Sequence, residues 1–337
     1  MAAARIAVLG AGSVGCFIGG AWQAKGLSVS FIGRPRTANA IAANGLELTD
    51  QDGWSTRFSP KKVRFATQPD ALAKASIILL TVKSGATAAA AREIAANAKP
   101  GAIVVSFQNG VANFDLLERE LGDRFVVMRG IVAFNVADLG HGHFHKGVAG
   151  TLWAEDNAAT RALAERIGEG PAALRLSDDM AGLAWGKLLV NLNNAVNALS
   201  GRTLAEQLRE RDYRAVVAAS QREGLAILRR AGIRPAKVGP LPPWLLPRVM
   251  AAPDWLFANV FMKSWKIDAK ARSSMADDLA QGRRTEIDQL NGELVRLAET
   301  AGMDAPINRR IVDLIRKAER GARPLAPAAL RREVLGG

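Results

Sequence analysis

The chain has 337 residues, 49% of them hydrophobic, which is more than one core absorbs and suits two domains. Mean hydropathy near zero excludes both a membrane-embedded and a disordered chain, and the lone Cys16 excludes an internal disulfide and fits a reducing, cytoplasmic compartment. The net charge of +13 is scattered, with no basic tract interleaved with aromatics and no zinc-finger spacing. It reads as a solvated surface with some pull on anionic small ligands, not as a nucleic-acid interface.

The first apolar run starts almost at Met1 and is broken by Gly10 and Gly12, without the basic head and cleavage site of a secretory leader. Residues 5–9 read as a buried strand. Gly10-Ala11-Gly12-Ser13-Val14-Gly15 follows, matching G-x-G-x-x-G and opening a helix that runs to about Lys25. In that setting Gly10 permits the tight turn, Gly12 admits a pyrophosphate to the backbone, and Gly15 lets helix and strand pack closely. The helix N-terminus offers its amides to phosphate.

A second strand over 27–32 runs into Gly33-Arg34-Pro35-Arg36, and no acidic residue occurs between Gly10 and Leu46. An enzyme for NAD usually carries Asp or Glu here for the ribose 2′-hydroxyl, whereas a guanidinium suits a 2′-phosphate. NADPH is therefore the expected cofactor, with Arg34 as its main specificity contact.

Strands over 76–82 and 103–107 alternate with alanine-rich helix such as 86–98, the pattern of a parallel sheet covered on both faces. Thr81-Val82-Lys83 and Gln108-Asn109-Gly110 end two of these strands, where open α/β sheets bind ligands. Residues 125–136 and 143–153 read as further strands, antiparallel at a sheet edge. His141, His143 and His145 alternate along one of them and read as surface residues without a metal partner.

Past about residue 176 the periodicity is helical: 181–199, 204–231, 275–301 and 307–320, with Gly232 and Gly302 as C-terminal caps. The predicted domains are 1–177, a Rossmann-type dinucleotide-binding α/β domain, and 178–325, an all-helical substrate and catalytic domain, with 326–337 a loose tail. Lys187 and Asn191, at i and i+4, share a face of an otherwise apolar helix. The stretch 241–265 holds Trp244, Trp255, Phe257, Phe261 and Trp265. Its Arg248, Asp254 and prolines exclude a membrane span, and it reads as packing for the helical domain rather than a lid. Ser274-Met-Ala-Asp277 fits an S-x-x-D helix cap. Ser274 and Glu286 lie about 120° apart on one straight helix, a conflict that vanishes if Ser274 precedes the helix.

In this order the glycine turn, Thr81-Val82-Lys83, Gln108-Asn109-Gly110, Trp185-Gly186-Lys187 through Asn191, Ser273-Ser274-Met275 and Thr285-Glu286-Ile287-Asp288 resemble the ketopantoate reductase (2-dehydropantoate 2-reductase) family over nearly the whole chain. That resemblance implies a Rossmann domain plus a helical domain with the active site in the cleft between them. It makes Lys187 the catalytic lysine and Glu286 a glutamate near lysine and cofactor. Asn191 and Ser274 become substrate contacts, the latter at the carboxylate, Asn109 a contact to cofactor and substrate, and Lys83 a cofactor contact. One departure is Ala195, where the family often has a second substrate asparagine. Asn194, about 20° from Lys187 around a continuous helix, is the candidate replacement.

The expected reaction is reduction of a 2-keto acid by NADPH, with Lys187 stabilising and protonating the nascent alkoxide. The leading substrate is 2-dehydropantoate, giving (R)-pantoate for pantothenate synthesis. The rivals are the same chemistry on another 2-oxo acid and a non-catalytic NADP-binding regulator. No nucleic-acid, membrane or metal partner is expected, and a homodimer is the candidate assembly.

Overall fold

The computed structural model describes residues 4–262 and 271–336; Trp265 lies outside them. The chain divides into two units, Met1–Met180 and Ala181–Gly337.

The first unit is built on an eight-stranded sheet ordered β12-β11-β8-β7-β6-β1-β2-β5. Its strands are β1 Arg5–Leu9, β2 Ser28–Ile32, β5 Arg64–Ala66, β6 Ile77–Leu80, β7 Ile103–Ser106, β8 Val126–Val132, β11 Leu152–Glu155 and β12 Leu174–Ser177. From β5 to β8 all neighbours are parallel, and the order is the doubly wound one. Strands such as Ile-Ile-Leu-Leu of β6 are apolar at every position because helices cover both faces.

A second sheet, β4-β3-β10-β9, is formed by β3 Leu46–Asp50, β4 Ser55–Phe58, β9 Val136–Gly140 and β10 His143–Lys146. It corrects the single strands expected over 125–136 and 143–153. Each of those runs splits, giving one strand to each sheet. The antiparallel pair β8–β11 is not at the edge, since β12 adds outside β11. Gly150 helps make the split: a side chain there would meet Ala133 O at 2.0 Å.

Helix α1, Ser13–Ala24, packs on both sheets. A methyl on Gly19 would lie 2.6 Å from Phe31 of the first, and one on Gly20 2.6 Å from Leu48 of the second. Each glycine weakens the isolated helix by about 0.5–1 kcal/mol, offset here by the approach it permits. Cys16, wholly buried on this helix, directs its thiol to Ala11 O at 3.5 Å, and burial raises its pKa far above the ordinary thiol value.

Of the histidines, only His143 and His145 share β10. Both half-buried rings approach Thr49 Oγ1 at 2.8 Å, while His141 sits exposed in the preceding turn at φ +52°. Among the described residues no group of three His, Cys, Asp or Glu is placed to hold a metal.

Among the described residues of the second unit all regular structure is helical: α6 Met180–Asn191, α7 Asn193–Ser200, α8 Leu204–Arg209, the 20-residue α9 Arg211–Arg230, and later helices including Ser274–Ala280, Asn291–Thr300 and Pro306–Glu319. Arg214 of α9, 1% exposed, donates to the carbonyls of Leu208, Arg209, Met250 and Ala252 and to Asp254, so it anchors the tryptophan-rich segment. That segment packs through Leu246, Val249, Met250 and Phe257, while Trp244 and Trp255 are exposed.

The loose tail expected over 326–337 is instead a helix, Pro327–Leu335, packed on α9 with Leu330 fully buried. Its lead-in is tied down by Leu325, whose amide donates to Leu199 O at 2.9 Å and whose carbonyl accepts from Tyr213 Oη at 2.6 Å.

Candidate active site

In the first unit the carboxyl ends of β1, β6 and β7 lie side by side, and the three loops singled out in the sequence leave from them. The amides of Gly10 and Ala11 donate to Ile32 O at 3.0 and 2.8 Å, joining the glycine turn to the end of β2. Gly10 adopts φ +93°, and a Cβ on it would lie 2.5 Å from Val82 N. Gly15 has no more room: Thr81 Oγ1 would be 2.5 Å away and Val8 Cγ1 2.9 Å. Gly12 differs, since its nearest neighbour would be Gly10 O at 3.9 Å and it is exposed.

The N-terminus of α1 has no side-chain cap and no acidic residue in its first turn. Its first amides, at Ser13 and Val14, have no intrahelical acceptor, which is the setting that suits an anion. The tight Gly10 and Gly15 and the open Gly12 are what a dinucleotide pyrophosphate requires.

Arg34 is the exposed N-cap residue of α2, Pro35–Asn44. Arg36, two residues on, is drawn away to Asp138 at 2.9 Å. Lys83 is exposed and Asn109 half-buried.

Sequence reasoning missed the brace behind these last two. Gln108 donates to Val82 O at 3.1 Å and to Thr87 Oγ1 at 2.8 Å, Thr87 donates to Asn113 Oδ1, and Asn113 donates to Ser84 Oγ and to Asn109 O. All four side chains are buried, so this closed web fixes the loops after β6 and β7 to each other. Its signal in the sequence was a polar residue repeating just beyond each strand.

In the second unit Lys187 and Asn191 lie one turn apart on α6, both half-buried. Beside Lys187 the helix is stripped to glycine. Ala236 N donates to Gly182 O at 2.7 Å, and a Cβ on Gly186 would meet Ala236 O at 2.0 Å. The chain near Ala236 thus runs directly over the helix that bears the lysine.

Lys187 is half-buried, so its ammonium is partly desolvated. Burial lowers the pKa to about 8, against the upward pull of the Glu286 carboxylate. Glu286 is held in place by its neighbours. Thr285 N and Oγ1 both donate to Glu319 at 2.8 Å, Ile287 is buried, and Asp288 pairs with Arg316 at 2.8 Å. Arg283, three residues before Glu286, pairs with Asp278 at 2.7 Å.

The single helix expected over 275–301 is interrupted. It stops at Ala280, turns at Gly282 with φ +63°, and resumes at Asn291. Ser274 and Glu286 therefore sit on separate elements, and the 120° conflict does not arise. The cap is Ser273, not Ser274: Ser273 Oγ accepts from Ala276 N at 3.1 Å and donates to Asn194 O at 3.0 Å, while Ser273 N donates to Asn197 Oδ1. Ser274 occupies the first helical position and is exposed. Asn194 is half-buried on α7 beyond a break at Leu192, and Ala195 is fully buried. Glu286 thus acts on the Lys187 amine through its charge, and a hydrogen bond from Ser273 ties Asn194 to the segment carrying Ser274.

The sequence matches the family described as "Ketopantoate reductase PanE/ApbA" over residues 6–158 and its C-terminal partner, "Ketopantoate reductase PanE/ApbA C terminal", over 179–319. A PanE/ApbA family ketopantoate reductase from Ralstonia eutropha JMP134, solved by crystallography, is 31% identical with a TM-score of 0.79, covering 94% of this chain and 98% of its own. The chain belongs to the ketopantoate reductase family. As a ketopantoate reductase family member it is an oxidoreductase of a dinucleotide-dependent class. A 2-dehydropantoate 2-reductase from Archaeoglobus fulgidus is 27% identical over 94% of this chain and 98% of its own length. D-mandelate dehydrogenase, solved with NADH and anilino(oxo)acetate, shares the ketopantoate reductase family fold at 20% identity, with a TM-score of 0.74 over 94% of this chain and 98% of its own.

Proposed function

We propose that this protein reduces 2-dehydropantoate to (R)-pantoate with NADPH. The reading rests on Lys187, half-buried on an apolar helix of this ketopantoate reductase family member, with the Glu286 carboxylate acting on its amine. Reduction of a ketone puts negative charge on its oxygen. An ammonium there stabilises that charge and then surrenders a proton, and it does both best when its pKa lies near the working pH.

The first unit would hold the cofactor through the Gly10–Gly15 turn, the amides of Ser13 and Val14, Arg34 at the 2′-phosphate, and Lys83 and Asn109. When bound, NADPH supplies the hydride. Lys187 holds the proton at the carbonyl oxygen, and Glu286 keeps the amine charged at neutral pH. Asn191, Asn194 and Ser274 orient the acid, Ser274 at its carboxylate. The same reading places the enzyme in the cytoplasm as a homodimer, without nucleic-acid or membrane partners. No helix among the described residues is long and apolar enough to cross a membrane.

A panel of 2-oxo acids, followed by cofactor oxidation with NADPH and with NADH, tests both names in the reading. Among the panel, 2-dehydropantoate is expected to give the highest kcat/KM. Arg34→Asp is expected to reverse or abolish the NADPH preference, by about tenfold or more for loss of a charge-assisted pair to phosphate. An unchanged cofactor ratio rules out Arg34, and a better substrate elsewhere in the panel replaces 2-dehydropantoate. Ala195, buried where the family often has an asparagine, is why that panel extends to bulkier and more apolar acids.

The pH dependence carries a definite sign. Reduction needs the ammonium, so kcat/KM should be flat below pH 8 and fall about tenfold per unit above it, while oxidation of pantoate rises through the same midpoint. Glu286 raises the lysine pKa, so Glu286→Gln should move both midpoints to lower pH. Profiles with midpoints unchanged in that variant would separate Glu286 from the lysine.

A further inference from the structure

We propose that Gln221 is a positioning residue for the catalytic helix. Its side-chain amide fills the gap in the backbone ladder between α6 and α7, and so fixes Lys187 and Asn191 relative to Asn194.

The break itself has no local cause. Leu192 keeps helical angles, φ −58° and ψ −24°, and neither glycine nor proline is near. Leu192 N still reaches Leu188 O at 3.1 Å, but the next carbonyl, Leu189 O, accepts from Gln221 Nε2 of α9 at 3.2 Å. A side chain inserted into the ladder is one of the few recognised causes of a helix break. The approach is close because Gly224, one turn along α9, leaves room for Leu189: a Cβ there would sit 3.0 Å from Leu189 Cδ2.

Gln221 is 1% exposed, and its Oε1 is buried with no hydrogen-bond partner. A methionine would fill the same space without that penalty, so what the amide adds is its bond to Leu189 O. Leu189 lies between Lys187 and Asn191 on α6, and the break separates both from Asn194.

The inference rests on Lys187 acting as proton donor, and the experiment separates the two ideas. In Gln221→Met, kcat on 2-dehydropantoate is expected to fall about tenfold to a hundredfold with KM for NADPH unchanged, since small misplacements of a reacting group cost that much. The Lys187 midpoint, read by NMR on carbon-13 lysine and assigned by its loss in Lys187→Arg, is expected to shift by about half a unit or more from its parental value. A purely structural role would lower Tm and leave both quantities as in the parent, which overturns the proposal. If the parent turns over no 2-oxo acid, the functional reading falls and the lysine midpoint alone decides about Gln221.

Should Gln221→Met not fold, Gln221→Glu replaces it. Its protonated carboxyl keeps the donor, so activity should hold at acidic pH and fall as the carboxyl ionises. A profile superimposable on the parent's overturns the proposal equally.

Discussion

Replacing Lys187 with methionine is expected to lower kcat/KM on 2-dehydropantoate by about a thousandfold, with NADPH binding unchanged. Proton donation by a placed side chain contributes about 10²–10⁴ in rate, and a fixed positive group at a developing oxyanion about 10²–10³. One lysine serves both ends here, so the two contributions overlap and do not multiply in full. The fold should not suffer. Burial pulls the amine's pKa down to about 8, so enclosing it in its charged form opposes folding at neutral pH, and an apolar stem of similar length relieves that opposition. A Tm equal to or above the parent's is therefore expected beside the lost turnover. Steady-state kinetics, thermal melts and NADPH fluorescence titration check the three parts, and a variant within tenfold of parental turnover ends the role assigned to the lysine.

The second large effect separates three glycines of one motif. Gly10→Ala forces a side chain into φ +93° and against the Val82 backbone at 2.5 Å, which cannot swing aside. A loss of about 3 kcal/mol or more is expected, which for a unit of this size is a fall in Tm of about 6–12 °C. Gly15→Ala meets chiefly side chains that give somewhat, Thr81 and Val8, with the Gly10 carbonyl behind them at 3.0 Å, and is expected to cost about 1–3 kcal/mol. Gly12→Ala meets nothing closer than 3.9 Å and adopts no strained angle, so Tm should stay put. Its methyl instead occupies the space a pyrophosphate needs, and Kd for NADPH should rise about tenfold or more. Melting curves and binding titrations on the three variants sort fold from ligand, and parental NADPH affinity in Gly12→Ala would remove the phosphate role from this turn.

The elements that positioned the site were legible because each is a local pattern. The buried central strands are continuous apolar runs, and the glycine turn is a six-residue signature. Lys187 and Asn191 declare a shared face by spacing alone. What escaped the sequence was held together over distance. Strands β3 and β4 are short and polar, with only Leu46 and Leu48 buried, and they become strands by pairing with each other and with β10. The carbonyl left open by the break at Leu192 is taken by Gln221, about thirty residues away. Glu286 depends on Glu319 and Arg316 holding its neighbours. Adjacent serines defeated the capping pattern, since Ser273 and Ser274 differ in backbone role and not in chemistry. The tail misled for a different reason: its alanines, prolines and arginines suggest looseness, while the two residues that dock it, Leu330 and Val334, are too few to show a period.

Cys16, sealed inside α1 and held protonated by its surroundings, has a practical corollary. It is the sole thiol of the chain, so the native protein should ignore maleimides and similar reagents. Any cysteine introduced at an exposed position becomes the unique handle for a dye or spin label. One handle placed in each unit would allow distances across the molecule to be followed through the catalytic cycle, with no background to engineer away.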